Sequence, residues 1–474
     1  MATGRRDRGP LCSSAVSTDT PWNGRRLHFV GIGGAGMSGL ALVARSLGAE
    51  VTGSDRSADS PYLAPLRALG VEPAVGHEAA HVPEGAELVV SSAIPPENPE
   101  RAVARERGLR ELHRADLLGE LTRLKPTIAV GGTHGKTTTS SMLVHALRGC
   151  GMDPGYLVGG AVRSTGANAG WGAGEWLVVE ADESDRSLLK LAPAIAVLTN
   201  AELDHHTTYA SQRDVDETFR AFLALAGRAA VVWDRPGLLA LAPGGIPVVP
   251  FDATPELSAG GSRFALDGVE VALTVPGTHN ARNAAAALTA ARLAGADLAQ
   301  AAAALRDFQG AGRRFERLGT TSAGALVVDD YAHHPTEVAA TLEAARTLGA
   351  RRVVAVFQPH LFSRTARQAA EFGAALAGAD EVVVLDVYPA RERPEDFPGV
   401  TGLLVAEAAA DAADGREVAW MPGFDQAEAL LRGRLREGDL VLTLGAGDVD
   451  ALGRALVDPP APAGRPDARS ERPG

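Results

Sequence analysis

Short apolar runs rich in β-branched residues alternate with alanine- and leucine-rich stretches along most of this 474-residue chain, and that rhythm constrains its fold more than any other feature. Leu27-His28-Phe29-Val30 is followed by a helical stretch at 37–47, then Val51-Thr52, a second helical stretch at 61–69, and Leu88-Val89-Val90. Strands buried on both faces read as continuous apolar runs, and a helix between runs returns the chain to a parallel neighbour. The pattern predicts doubly wound parallel α/β sheets. It restarts at Pro126-Thr127-Ile128-Ala129-Val130, with strands expected at 176–179, 195–198 and 231–233, antiparallel-type segments between 247 and 275, and helices at 281–293 and 298–307. It restarts again beyond Arg317, with strands at 325–328, 353–357, 381–385, 418–420 and 440–444, each but the last followed by a helical stretch. The expectation is three α/β units in series, at 25–123, 124–315 and 316–457, with a flexible arm at 1–24 and a disordered tail at 458–474.

A formal net charge of −12 argues against a general grip on nucleic acid or on an anionic membrane surface. No apolar run approaches the roughly 18 residues that suggest a bilayer span. Two cysteines, Cys12 and Cys150, exclude a disulfide framework and a cysteine-built zinc site, and suit a reducing, cytoplasmic setting. Lysine occurs only at Lys125, Lys136 and Lys190, so any lysine that does chemistry is one of three.

Four motifs sit where strands end. Gly31-Ile32-Gly33-Gly34-Ala35-Gly36 lies between a strand and a helix, with Asp55 some 20 residues on. Its glycines permit a tight turn at a helix N-terminus that favours a diphosphate; alone it reads as a dinucleotide or other nucleotide-diphosphate site, or as a plain tight turn from strand to helix. Gly131-Gly132-Thr133-His134-Gly135-Lys136-Thr137-Thr138 is a shortened phosphate-binding loop, with Val130 where the usual spacing has glycine. Lys136 can reach terminal phosphates, and the Thr137 or Thr138 hydroxyl can ligate Mg²⁺. The strand before Glu180 ends in clustered carboxylates; Glu180 is the better cation ligand, while Glu183 and Asp185 are either ligands or a solvated acidic loop. Asp204-His205-His206 follows another strand, and a histidine there completes a second cation site or is polar surface. Pro276-Gly277-Thr278-His279-Asn280-Ala281-Arg282-Asn283 opens a helix with side chains suited to an amide-bearing ring, although as an isolated string it is a helix start. Asp329-Asp330-Tyr331-Ala332-His333-His334-Pro335, Gln358-Pro359-His360-Leu361-Phe362-Ser363-Arg364 and the Arg313-Arg314 pair complete the candidates, the arginines being suited to clamp phosphoryl or carboxylate groups.

In this order, GIGGAGMSGL, GTHGKTTT, EADESD, PGTHNARN, DDYAHHPTE and QPHLFSRT resemble the Mur ligases over residues 25–450. The resemblance implies a Rossmann-like UDP-binding domain, a P-loop ATPase domain and a Rossmann-like amino-acid-binding domain. It implies ATP and Mg²⁺, and L-alanine joined to the lactoyl carboxylate of UDP-N-acetylmuramate through an acyl phosphate, in peptidoglycan precursor synthesis, by a cytoplasmic monomer or weak homodimer. Carried over by position, Gly33, Gly34, Ala35, Gly36, Ser54, Asp55 and Ser91 would hold the UDP-sugar. Gly132, Thr133, His134, Gly135, Lys136, Thr137, Thr138, His279, Asn283, Arg314 and Asp330 would hold ATP. Thr137 with Glu180 would take one Mg²⁺, and Glu180 with His205 a second. Lys136, Glu180, His205, His333 and Arg364 would be catalytic, with Arg364 on the alanine carboxylate and His333 as base. Leu361 stands where many relatives carry arginine, and no lysine follows Lys190 to supply the carbamylated metal ligand of sister enzymes. The competing readings are a recycling ligase that adds a tripeptide to the same sugar, an NAD-dependent oxidoreductase, which leaves Lys136 and Glu180 idle, and a P-loop kinase or switch NTPase, which accounts for the central unit alone.

Overall fold

The computed structural model describes residues 20–57 and 59–457. Strands β1 (Arg26–Val30), β2 (Glu50–Asp55), β3 (Ala74–Val75), β4 (Glu87–Val90) and β5 (Glu111–His113) form a parallel sheet in the order β3-β2-β1-β4-β5. Strand order reverses at β1, so the crevice beyond its C-terminal end, where the helix Ala35–Ser46 begins, is the position at which such sheets take ligands. The stretch expected to be a loose arm is ordered in its last part: Trp22 is buried in the core, its N–H donates to Leu47 O at 3.1 Å, and Arg25 lies over its ring. Residues 1–19 and the expected tail at 458–474 lie outside the described residues.

The central sheet contains β6 (Thr127–Gly131), β7 (Gly155–Val162), β8 (Ala167–Gly170), β9 (Leu177–Glu180), β10 (Ile195–Leu198), β11 (Ala229–Trp233) and β12 (Val248–Phe251), in the order β12-β11-β10-β6-β9-β7-β8. Here β8 is an antiparallel edge and β12 runs parallel to β11. The antiparallel pattern expected from residue 247 therefore begins later, in the three-stranded sheet of β13 (Glu256–Ser258), β14 (Gly261–Leu266) and β15 (Val269–Leu273). Glycine obscures β7 and β8 in the sequence, because Gly155-Tyr156-Leu157-Val158-Gly159-Gly160 lacks the unbroken β-branched run of a buried strand.

The third sheet runs β16-β17-β21-β18-β19-β20, from β16 (Glu316–Thr320), β17 (Leu326–Asp330), β18 (Arg352–Phe357), β19 (Glu381–Val384), β20 (Glu417–Trp420) and β21 (Asp439–Leu444). Only β16 is antiparallel, a polar edge strand that the sequence pattern does not reveal. The last strand, β21, is buried along its length between β17 and β18, and a helix, Val449–Val457, follows it, contrary to expectation. The connection from the central unit is pinned to this sheet. Arg313 and Phe315 adopt left-handed φ of 55° and 50°, Phe315 N–H donates to Asp330 Oδ2 at 2.7 Å, and the Arg313 guanidinium meets Asp329 at 2.9 Å. No helix among the described residues is long and apolar enough to cross a membrane.

Candidate active site

Strand β6 delivers the chain into the phosphate-loop motif, and the helix Lys136–Gly149 leaves it. Two glycines make the loop possible. Gly132, at φ 135°, has no room for a Cβ against Thr199 Oγ1, and a Cβ on Gly135, at φ 81°, would lie 2.5 Å from Asn283 Oδ1. The loop is thus clamped between the end of β10 and the helix Thr278–Leu293. Asn200 Oδ1 accepts from His134 N at 2.8 Å and Thr199 Oγ1 donates to His134 O at 2.6 Å. Asn283 packs on the loop, and His279, one turn earlier on the same helix, has its imidazole held neutral by burial at a pKa of about 4.

Lys136 Nζ donates to Gly132 O and Thr133 O at 2.7 and 3.0 Å and pairs with Glu183 at 2.8 Å. Burial disfavours the ammonium, but Glu183, Asp182 and Glu180 outweigh it and raise its pKa. The other two lysines have structural partners: Lys125 binds the carbonyls of Trp171, Gly172 and Gly174, and Lys190 pairs with Asp116. Glu180 ends β9, accepting from Gly159 N at 2.6 Å and from Thr137 Oγ1 at 3.2 Å. Burial pushes its pKa up despite these donors. A partly buried carboxylate beside a hydroxyl in the first helical turn is an oxygen donor set that fits Mg²⁺.

The acidic loop departs from the reading of Glu183 and Asp185 as solvated surface. Glu183 is 2% exposed and lies between Lys136 and His205, whose Nε2 is 3.2 Å from it. His205 therefore joins Glu183, rather than the expected Glu180, in this structure. Asp182 and Asp185 hold Arg114 of the first unit at 2.7 and 3.1 Å.

Across the seam, Glu337 collects groups from both sides. It is 3.2 Å from His134 Nδ1, accepts from His333 N at 2.9 Å and lies 3.9 Å from Arg314. Burial opposes its charge, but His333 and His134 hold its pKa well below the carboxylate range. His333 Nδ1 faces Tyr331 O at 2.8 Å; a carbonyl only accepts, so Nδ1 carries the proton and Nε2 keeps a lone pair. Burial keeps this imidazole neutral, at a pKa of about 4. Asp330, expected near ribose, instead accepts from Phe315 N and Ala332 N, with its pKa raised by burial to about 6. Arg364, expected on the amino-acid carboxylate, is buried and committed to Asp204 at 2.8 and 3.0 Å and to His360 at 3.3 Å. Glu337, Asp204, Glu202 and Glu183 are the residues sequence reasoning missed or left open. Their signal was position, next to motif residues at strand ends.

His134 gives the seam a pH dependence. Burial opposes its charge, but Glu337 and Glu202 raise its pKa from 6.5 to about 9. A raised pKa contributes stability that is complete below the unfolded value and is lost as pH rises through the folded one. The thermal midpoint of the metal-free protein should therefore fall between pH 6.5 and 9.5 more steeply than that of His134→Gln. Parallel melting curves across that range would remove His134 from the seam's balance.

At the first crevice, the helix Ala35–Ser46 starts at Gly34 without a side-chain cap, leaving its N-terminus to a ligand. Asp55 and Ser54 act differently from expectation. Asp55 Oδ2 accepts from Gly33 N at 2.8 Å and braces the loop, and Ser54 Oγ donates to the buried Glu100 at 2.7 Å. Ser91 directly follows β4, beside the crevice.

Family models match in series: Mur ligase family, catalytic domain, at 26–126; Mur ligase middle domain at 130–291; and Mur ligase, glutamate ligase domain, at 313–447. A UDP-N-acetylmuramate–L-alanine ligase of Kineococcus radiotolerans is 48% identical over 459 residues, covering 91% of this chain and 96% of its own. The chain belongs to the Mur ligase family. Among solved Mur ligase structures, the UDP-N-acetylmuramate-alanine ligase of Thermotoga maritima superposes with a TM-score of 0.77 at 29% identity, over 91% of this chain and 98% of its own. A murein peptide ligase from Psychrobacter arcticus gives 0.68 at 25% identity, over 91% and 98%.

Proposed function

We propose that this Mur ligase joins L-alanine to UDP-N-acetylmuramate at the expense of ATP, in peptidoglycan precursor synthesis in the cytoplasm. The observation that carries the reading is Lys136, gripped by its own loop beside the Thr137–Glu180 pair, with His134 of that loop touching Glu337 of the third sheet's unit. Residues 25–123 would take the UDP-sugar, 124–315 ATP, and 316–457 the amino acid. The relatives named for alanine addition support alanine over a tripeptide. The dinucleotide reading loses its ribose ligand, because the Asp55 carboxylate is occupied by Gly33 N and Ser57 N.

A carboxylate does not acylate an amine at neutral pH, so the lactoyl carboxylate takes the γ-phosphoryl of ATP to become an acyl phosphate. Lys136 and the loop amides stabilise charge on the phosphoryl oxygens as it moves. Thr137 and Glu180 would hold Mg²⁺, which supplies further charge neutralisation when bound, and Glu183 with His205 offers a second cation position. Arg314, over the Tyr331 ring at 5.1 Å, has its charge at the mouth between units. The alanine amine attacks the acyl carbon, His333 Nε2 accepts its proton, and phosphate leaves. Closure of the seam keeps water from the acyl phosphate.

Phosphate release from ATP with UDP-N-acetylmuramate should require an amino acid, with kcat/KM ordered alanine above serine and glycine. Release without any acceptor, or only with a peptide, would overturn the assignment.

A further inference from the structure

His134, Glu202 and His334 present one donor atom each within 4.8 Å of one another, on the phosphate loop, the segment after β10, and the start of the helix Pro335–Arg346. The proposed ligase reaction assigns no step to His334 or Glu202. The edges of the triangle are 3.4 Å from His134 Nε2 to Glu202 Oε2 and 3.9 Å from His334 Nδ1 to the same oxygen. A tetrahedral ion with bonds of about 2.0–2.1 Å needs donors about 3.3 Å apart, so these two edges need only a small contraction, while the third, from His134 to His334 and within 4.8 Å, closes by up to about 1.5 Å. His134 Nε2 is buried without a hydrogen-bond partner, and an ion bound there displaces the proton that this nitrogen carries in the imidazolium.

The surroundings are those of ligands already oriented. His134 turns its other nitrogen to Glu337 at 3.2 Å, the carboxylate–histidine arrangement that fixes a metal-binding imidazole. Thr336 Oγ1 donates to Glu202 Oε2 at 2.7 Å and holds that carboxylate toward the two rings. Gln368 Nε2 lies 3.2 Å from His334 Nε2 while Gln368 Oε1 is buried without a partner. Turning that amide over lets His334 Nε2–H donate to Oε1, satisfies both, and leaves Nδ1 with its lone pair toward Glu202. Nδ1 now accepts a long hydrogen bond from Thr336 N, 3.3 Å, which a metal bond would replace.

We propose that His134, Glu202 and His334 bind a zinc-class divalent ion across the seam between the central and C-terminal units. Two imidazoles and one carboxylate with a fourth position open form a donor set for Zn²⁺ or Co²⁺, whereas Mg²⁺ takes oxygen. The ion links the phosphate loop to the C-terminal unit, so its binding opposes the opening that turnover needs and makes it an inhibitor distinct from the catalytic Mg²⁺.

The test is a Zn²⁺ titration of the full chain, stripped with chelator and kept in excess Mg²⁺ without ATP. Bound metal is measured per chain by elemental analysis, with Co²⁺ as the visible-absorption probe. The wild type should retain one ion and show ligand-field bands. Glu202→Gln and His334→Asn, the latter keeping an acceptor at the helix start, should bind at least about tenfold more weakly. Zn²⁺ should slow phosphate release by wild type more than by His334→Asn. His205→Ala should retain the ion. Equal retention by His334→Asn, no retained ion in wild type, or loss in His205→Ala, which would place the ion in the phosphate site, each overturns the proposal.

Discussion

Lys136→Met is expected to lower kcat for alanine-dependent phosphate release by about 10³-fold, the scale of losing a charge stabiliser aimed at a developing anion. UDP-sugar affinity, measured by calorimetry, should stay within a few-fold, because the first crevice is on another sheet. The geometry adds a second effect. Lys136 neutralises Glu183 at 2.8 Å, and that carboxylate is 2% exposed, so the single variant leaves a buried charge whose remaining ionic partner among the described residues is His205. The protein should lose thermal stability along with activity. Adding Glu183→Gln removes the stranded charge and should restore the melting temperature without restoring turnover. Recovery of turnover in the double variant would show that Lys136 serves the fold and not the phosphoryl group.

The second large effect concerns the pair that joins the central and C-terminal units. Arg364 and Asp204 are both about 4% exposed, and all three guanidinium nitrogens of Arg364 are engaged. Burial opposes the Asp204 carboxylate, but Arg364, His205 and His333 hold its pKa far below normal. Removing one partner of a buried pair costs about 3–5 kcal/mol, whereas replacing both with apolar residues is often neutral. Arg364→Leu should therefore melt at a markedly lower temperature, and Arg364→Leu with Asp204→Leu should recover much of the loss. Kinetics separate the roles. If Arg364 also receives the alanine carboxylate, Asp204→Asn weakens its competitor and lowers KM for alanine. A raised KM in Asp204→Asn would assign Arg364 to holding the seam alone.

The doubly wound sheets were legible because parallel strands covered on both faces have no choice but continuous apolar runs. Phe29-Val30, Ile128-Ala129-Val130 and Val441-Leu442 announce their places. Two strands were not legible: the edge strand β16 carries Glu316 and Arg317, and β7, next to the edge, carries three glycines. The phosphate loop was readable since Gly132, Gly135 and Lys136 do local work within one turn. The seam was not, because Glu337 and Asp204 gain their meaning from residues 203 and 160 positions away. Ser54 and Asp55 show the converse: they end a strand beside the glycine motif, yet their side chains brace the core and the loop. Local chemistry is written in neighbouring letters, and closure between units is written in pairs that only folding brings together.

The position of β21 bears on how the molecule is made. In each of the first two sheets the strand made last, β5 or β12, lies at an edge, so the rest of the sheet can pair while later residues are still being added. The third cannot: its middle position, between β17 and β18, is filled by residues 439–444. Until that strand leaves the ribosome, β17 and β18 each expose an unpaired edge, and the C-terminal unit has no continuous sheet. Completion of the C-terminal unit's sheet thus waits for residues 439–444, after the sheets of the first two units have had time to form.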